Sequence, residues 1–545
     1  MTIQSTFDPI RLEVYKNLFS AIAEEMGVVL RKASFSPNIK ERRDYSCAVF
    51  DRSGDMVAQA AHIPVHLGSM PQSVAASIAA FTPRAGTDSP ERRLEPGDMI
   101  LLNDPFRGGT HLPDITLVSP VFLEQAAPTS LLIGFVASRA HHADVGGMAP
   151  GSMTIAREIY QEGIIIPPVK LYSSGELNRD VLKLLLANVR TPQERLGDLQ
   201  AQIAANQRGA ARLLELVNRY GLEEVTLYMA KLQAYSERMM RNLLRKLPDG
   251  HYHFLDYLDD DGVSEETIPI QVTVIIEGDQ ATVDFTGTAP QVRGSLNAVY
   301  AIILSAVYYV FRCLVGLDIP NNSGCLAPIQ LIAPEGSLVN ARHPSAVAGG
   351  NVETSQRIVD VLLGALYQAM PQSVPAASQG TMNNLTIGGW DNHKNTPFAY
   401  YETIGGGMGA RSNADGPSAI HSHMTNTLNT PVEAIEYEYP LRVLRYEIRE
   451  GSGGAGCFRG GDGIRRDIQV LTDAQVSLIS ERRKLPPYGL DGGEPGLCGE
   501  NKLLCDGDQI HLKGKGTYEL KAGDVLSIRT PGGGGYGKKI DRNPS

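Results

Sequence analysis

The stretch NDPFRGGTHLPDITL, residues 103–117, and its companion ASRAHHADVGG, residues 137–147, crowd His111, Asp114, His141, His142 and Asp144 into two short glycine-walled segments. The whole chain of 545 residues has only 12 histidines, so the crowding asks for a reason. Each segment adjoins an apolar run: ITLVSPVFL follows the first and LLIGFVASRA leads into the second. Both runs have the length and branched composition of strands. Loops at strand ends hold side chains on a rigid frame while leaving them accessible. The reading therefore sets both His/Asp segments at the ends of neighbouring strands. MILLND, residues 99–104, adds a strand, and CAVFDRSGDMVAQA, residues 47–60, adds a hairpin split at Ser-Gly.

Working outward, Asp8 followed by Pro9 predicts a helix start, with apolar residues recurring at Ile10, Val14, Leu18, Ile22, Met26 and Leu30. From 178 to 247 the chain reads helical, with a fresh start at Thr191 and Pro192. A second region begins near 265, where IPIQVTVIIEGDQATVDF alternates apolar and polar residues about Gly278 and Asp279, a hairpin signal. A buried helix is predicted over 296–315, and beyond 375 glycine-rich turns separate short apolar runs. The fold class expected is α+β, mixed and multi-domain. Residues 1–265 form an N-terminal metal-binding domain with a sheet, metal-bearing loops and long helices, and 266–545 form a β-rich domain with buried helices and a glycine-rich end.

Composition narrows the functions available. Fifty basic against 60 acidic residues give a net charge of −10, which argues against a nucleic-acid partner and fits a cytoplasmic protein. Six cysteines without a CxxC pair exclude a disulfide framework and a zinc ribbon. The most apolar stretch, 298–311, is too short to span a membrane, and the opening residues lack the apolar core of a secretory signal. GSGGAG at 451–456 matches a dinucleotide pattern, but CFRGGDG follows it and cannot open a helix. No phosphate-binding GxxxxGK[ST] and no GxSxG nucleophile elbow occurs.

A divalent cation takes imidazole nitrogen and carboxylate oxygen together. In HLPD, Pro113 stiffens the loop between His111 and Asp114, AHHADVGG offers a second half-site, and Asp44, just before another strand, can close it. A lone histidine at a strand end is ordinarily hydrogen-bonded structure, whereas two clusters of like chemistry point to ligation. His62 and His66 share i, i+4 spacing, but Pro64 between them rules out the metalloprotease helix, so they read as packing or pocket residues. Asp104 and Arg107 read as a turn and its ion pair. Asn351, Glu353 and Arg357 on the first turns of a helix, and Glu402 and Arg411 around IGGGMGAR, are candidates for substrate binding.

RRDYSCAVFD, GGTHLPD, AHHADVGG, GGNVETSQRIVD, TIGGGMGAR, HMTNTLNTPVE, GGAGCFRGGDG and TPGGGGYG occur in this order between about residues 7 and 537. Together they resemble the hydantoinase B and oxoprolinase family. The resemblance implies an ATP-dependent cyclic amidohydrolase in which a hydantoinase A-type subunit, the one that holds ATP, phosphorylates the amide oxygen, in a hetero-oligomer such as a heterotetramer. It also implies a divalent metal (zinc, manganese or iron) on Asp44, His111, Asp114 and His141, with His142 and Asp144 as catalytic or orienting neighbours. This chain would hydrolyse the phosphorylated ring with a metal-activated water. The family also includes ATP-dependent ketone carboxylase subunits, and a non-catalytic subunit stapled by its metal is a third reading.

Overall fold

The computed structural model describes residues 8–60, 62–82, 93–124, 130–316 and 318–539. Residues 1–7, weighed above for a secretory signal, lie outside them. The two quoted segments flank the centre of a seven-stranded antiparallel sheet. Its strands are β1 (Tyr45–Asp51), β2 (Met56–Gln59), β3 (Met99–Leu102), β4 (Asp114–Glu124), β5 (Ser130–His141), β6 (Val169–Ser173) and β7 (Glu176–Leu177), in the order β2-β1-β5-β4-β3-β6-β7. Alternate residues of β1 enter two separate cores: Cys47 and Val49 meet one, Ala48 and Phe50 the other. A sheet covered on both faces needs apolar residues at every position, which is why these strands read as continuous runs.

The first core is closed by α1 (Pro9–Ala33) and, after the short α2 (Pro37–Lys40), by two long helices introduced below. Asp8 caps α1 as its sequence predicts, accepting the Ile10 and Arg11 N–H groups. The buried stripe keeps Ile22, Met26 and Leu30 of the predicted one but departs from it in the first half: Ile10 and Val14 are exposed, while Leu12, Tyr15 and Phe19 are buried. Strict i+4 spacing advances about 40° per step around a helix of 3.6 residues per turn, so that series winds from solvent into the core. A stripe that mixes steps of three and four stays on one face. α3 (Ser69–Ala80) lies on the other side of the sheet. α4 (Arg179–Ala187), α5 (Pro192–Tyr220, starting at the predicted proline) and α6 (Leu222–Leu244) make up the helical segment, and α5 packs along α1.

Past it comes a four-stranded sheet of β8 (Gly250–Leu258), β9 (Ile268–Glu277), β10 (Gln280–Asp284) and β11 (Ile329–Ile332), in which β9 and β10 form the hairpin about Gly278. α7 (Tyr300–Val315) starts four residues later than predicted, because Ala298 is bonded in extended form to Leu338 and Ala341. A single π turn, Gly350–Thr354, leads into α8 (Ser355–Tyr367), which packs on α7. The glycine-rich end holds two further sheets. One contains β12 (Asn384–Asp391), β13 (Thr396–Glu402), β16 (Ala474–Ile479) and β19 (Lys515–Leu520); the other contains β14 (Leu441–Arg449), β15 (Gly463–Val470), β17 (Glu500–Cys505), β18 (Asp508–Leu512) and β20 (Val525–Arg529). The larger apolar core runs from Ala48 to Ile479 and draws on residues either side of 265. No helix among the described residues is long and apolar enough to cross a membrane.

Candidate metal centre

Strand register assembles the site. Asp114 opens β4 opposite His141, which closes β5, and the His141 N–H donates to the Asp44 carbonyl at 3.0 Å, one residue before β1. In an antiparallel sheet one strand's start lies beside its neighbour's end, so three strand termini share one edge. His111 arrives from the preceding loop. There Asp104 accepts the Phe106 N–H at 3.0 Å and lies 3.5 Å from Arg107, the turn and ion pair read from the sequence. The loop then doubles back: Gly108 has φ +89°, and a side chain at Gly108 or Gly109 would strike the carbonyl of Gln72 or Asn103 at 2.5 Å. Only glycine fits both positions.

His111 Nε2 lies 3.2 Å and His141 Nδ1 3.6 Å from Asp114 Oδ1. The donor atoms of these three residues fall within 4.8 Å of one another, and all three are buried. Two donors each about 2.1 Å from one cation stand roughly 3.0 Å apart at a right angle and roughly 3.4 Å apart at the tetrahedral angle, so the spacing suits a shared ion. The Asn351 amide Nδ2 lies 3.1 Å from His111 Nε2. An amide N–H only donates, so the Asn351 amide engages the Nε2 lone pair that a cation would take, and ligation there replaces that hydrogen bond. Burial lowers the pKa of His141, against the pull of Asp114 and Asp44, and keeps the ring neutral. Burial pushes Asp114 upward, but His111, His66 and His141 outweigh it and hold its carboxyl well below the usual range. Neutral nitrogen with anionic oxygen is the donor set a divalent cation takes.

Asp44 lines the same cavity, of about 20 Å³, with His66, Asp114, His141 and Asn351. Burial pushes its carboxyl up, with His141 and Arg42 pulling against that, and Arg42 Nη2 stands 3.7 Å away. Among the described residues the set within 4.8 Å is His111, Asp114 and His141, so Asp44 sits beside it and not inside it. The residue just past β5 points elsewhere: His142 Nε2 lies 2.9 Å from Gln202 Oε1 on α5, and burial, with Arg195, brings its pKa down to about 4. Asp144 organises its loop by accepting the N–H groups of Gly146, Gly151 and Arg190 and the Arg190 guanidinium at 2.9 Å. Neither His142 nor Asp144 lines the cavity.

Of the five substrate-binding candidates the structure brings one to the cavity, Asn351, which sits in the π turn, a distortion frequent at functional sites. Glu353 accepts the Met382 N–H and the Asn384 amide at 2.9 and 2.6 Å, and burial raises its pKa to about 7. Arg357 joins a buried ion network with Asp256, Asp360 and Glu481. Glu402 pairs with Arg466 at 3.1 Å and accepts the Thr430 N–H. Arg411 is exposed on its loop.

Sequence reasoning named His66 only as a packing or pocket residue, and it missed Tyr401. His66 Nε2 lies 3.4 Å from Asp114 Oδ2, and the Tyr401 ring stacks on His141 at 4.3 Å. Of the packing and pocket roles read for His62 and His66, the pocket falls to His66. Pro64–His66 form one 3-10 turn that delivers His66 to the cavity, while His62 accepts the Cys47 N–H at 3.1 Å. Tyr401 carries no local signal, since it comes from a strand in a different sheet.

A family model described as hydantoinase B/oxoprolinase matches residues 8–539. The 5-oxoprolinase 1 of Arabidopsis thaliana is 42% identical over 98% of this chain, which spans only 42% of that relative's length. A relative from Pseudomonas sp. (strain NS671), by name the B component of a D-/L-hydantoinase, is 34% identical, with 98% of this chain and 91% of that one covered. The ATP-dependent caprolactamase from Pseudomonas jessenii superposes with a TM-score of 0.88 at 31% identity, covering 98% and 92% of the two chains. A nucleotide-free acetone carboxylase shares the fold, with a TM-score of 0.89 at 20% identity over 98% of this chain and 76% of that one.

Proposed function

Because the chain belongs to the hydantoinase B/oxoprolinase family, we propose that it performs the hydrolytic half of an ATP-dependent cyclic amide opening, on a ring that an A-type partner has phosphorylated at the amide oxygen. The observation carrying this reading is the convergence of the buried His111, Asp114 and His141, whose donor atoms lie within 4.8 Å of one another. Asp44 is the fourth ligand in this reading. The name of one relative as a component of a larger enzyme, and the greater length of the single-chain 5-oxoprolinase, support a partner that supplies the ATP site.

The chemistry follows from amide stability. Nitrogen lone-pair donation protects the carbonyl carbon, and phosphorylation of the oxygen removes that protection. Water then adds to the carbon, the ring carbon–nitrogen bond breaks with the proton going to nitrogen, and a second water releases phosphate from the acyl carbon. A bound divalent cation supplies the Lewis acidity that lowers the pKa of water toward about 7. His111 and His141 provide neutral nitrogen, Asp114 and Asp44 offset the charge, and Tyr401 fixes the plane of the His141 ring by stacking. Asn351, whose Oδ1 is buried with no protein partner, faces the same space and can orient a polar guest. Met424 and Thr425 wall the same cavity.

The test is purification with the partner and a screen of 5-oxoproline, hydantoins, lactams and ketones with bicarbonate. ATP-dependent ring opening, lost in His111→Ala, is expected. Carboxylation of a ketone selects the carboxylase reading, and unimpaired turnover in His111→Ala selects a structural staple.

A further inference from the structure

The two oxygens of Asp114 keep different company. Oδ1 faces the pair His111 Nε2 and His141 Nδ1, at 3.2 and 3.6 Å. Oδ2 accepts the Thr110 hydroxyl at 2.6 Å and lies 3.4 Å from His66 Nε2. A hydroxyl at that distance from an ionised carboxylate is a charge-assisted bond, among the strong ones. His66 is placed in turn by Ser46, whose hydroxyl lies 2.9 Å from Nδ1. With that hydroxyl donating, the ring proton stays on Nε2, facing Asp114. Ser46, His66, Thr110 and Asp114 are each at most 1% exposed, so packing fixes every member. His66 also stands outside the set of donors that lie within 4.8 Å of one another, which separates it from the ligands.

We propose that Thr110 and His66 form a clamp on Oδ2 that holds Asp114 to one-oxygen coordination, and so keeps a coordination position open for water or substrate. The proposal rests on the cation assigned above to His111, Asp114 and His141. A free carboxylate binds a cation through one oxygen or two, and a catalytic site differs from a closed structural one by a position the protein leaves unfilled. Three protein ligands in a four-coordinate shell, or four in a five-coordinate one, leave that position only while Asp114 does not chelate. Thr110 and His66 are thus positioning residues that act through Asp114.

The test uses the full chain, stripped of metal and titrated with Co²⁺ alone, following stoichiometry, affinity and the visible d–d bands. Wild type should bind one Co²⁺. Thr110→Val and His66→Leu should still bind one, roughly 10- to 100-fold more weakly, with weaker visible bands as the second oxygen joins and coordination number rises. Thr110→Ser, which restores the hydroxyl, should return the wild-type spectrum, a rescue that packing alone would not give. Unchanged spectra in Thr110→Val overturn the clamp. Loss of stoichiometric binding in a folded His66→Leu overturns it too, by making His66 a ligand. If His66→Leu does not fold, Thr110→Val decides alone. Wild type that takes up no Co²⁺ removes the functional reading and the clamp together, whereas wild-type binding with unaltered variants removes only the clamp.

Discussion

Behind α8, Arg482 Nη2 lies 2.8 Å from Asp256 and 2.6 Å from Asp360, and Arg357 and Lys515 both meet Glu481, so each buried carboxylate there faces a buried cation. At the ends of β1, β4 and β5 the carboxylates of Asp44 and Asp114 face imidazoles, and each opposes the other's ionisation. The nearest guanidinium, Arg42, is 3.7 Å from Asp44, beyond the roughly 2.8 Å of a close ion pair. In one cluster each carboxylate meets a cation within 3.5 Å; in the other neither guanidinium comes so close, Arg42 standing off and Arg139 being taken up by Thr116, Ser69 and Ser73. Buried charge is tolerated only when paired or when it coordinates a metal, so the difference separates a structural network from a binding site. It also explains why Arg357 and Glu402 carry strong charge without lining the cavity: a partner of opposite sign already occupies each.

The largest effect should come from breaking the balanced cluster. Arg482→Met leaves Asp256 and Asp360 without their closest cation, and removal of one partner from a buried ion pair costs about 3–5 kcal/mol. The urea unfolding midpoint of the metal-free protein should fall sharply, while folded variant still binds one metal ion. A variant as stable as wild type would mean that Arg357, 3.5 Å from both aspartates, suffices alone, and that the cluster is less tightly coupled than its geometry implies.

Glu162 is a third kind of buried carboxylate, met by no cation among the described residues: it accepts the Val347 and Ala348 N–H groups at 2.9 Å, and burial outweighs those bonds to raise its pKa to about 8. With the folded value above the unfolded one, its contribution to stability is full below about pH 4.5 and is lost as pH rises through about 8. Glu162→Gln keeps an oxygen for both N–H groups and removes the titration. It should match wild type near pH 4 and exceed it by on the order of 3 kcal/mol at pH 9. Parallel stability curves from pH 4 to 9 would show that two backbone donors alone suffice to hold a buried anion.

Much of this was legible before any coordinates. The strands around the His/Asp segments, the start of α5 at Pro192 and the hairpin about Gly278 follow from local rules of turn and cap, and their residues lie close in sequence. The pairing of Asp114 with His141 was legible only as proximity to strand ends, because register is set by how two strands slide, a non-local property. His66 was legible as a packing or pocket residue but its approach to Asp114 was not, because that contact joins segments distant in sequence, and Tyr401 escaped because stacking across sheets leaves no periodic trace. His142 shows the same limit from the other side. Its chemistry equals that of His141, and only its place just past the end of β5, with its N–H on the Pro113 carbonyl, directs its ring to α5.

Whether Asp44 completes the site is the sharpest use of the comparison, although its expected effect is the smallest. Its carboxyl is pushed up in the cavity, so the folded protein disfavours the charge, and Asp44→Asn removes an unfavourable group while keeping its shape. The metal-free variant should therefore be at least as stable as wild type, the reverse of Arg482→Met. Metal affinity should fall by about 10- to 100-fold, or about 1.4–2.7 kcal/mol, if the carboxylate orients or joins the coordination. Calorimetric titration with Zn²⁺ and thermal unfolding of the stripped protein measure the two quantities separately. Lower stability with unchanged affinity would assign Asp44 to Arg42, as a distant ion pair of the balanced kind. Higher stability with weakened binding would mean that a residue unfavourable to the empty fold is retained for the cation.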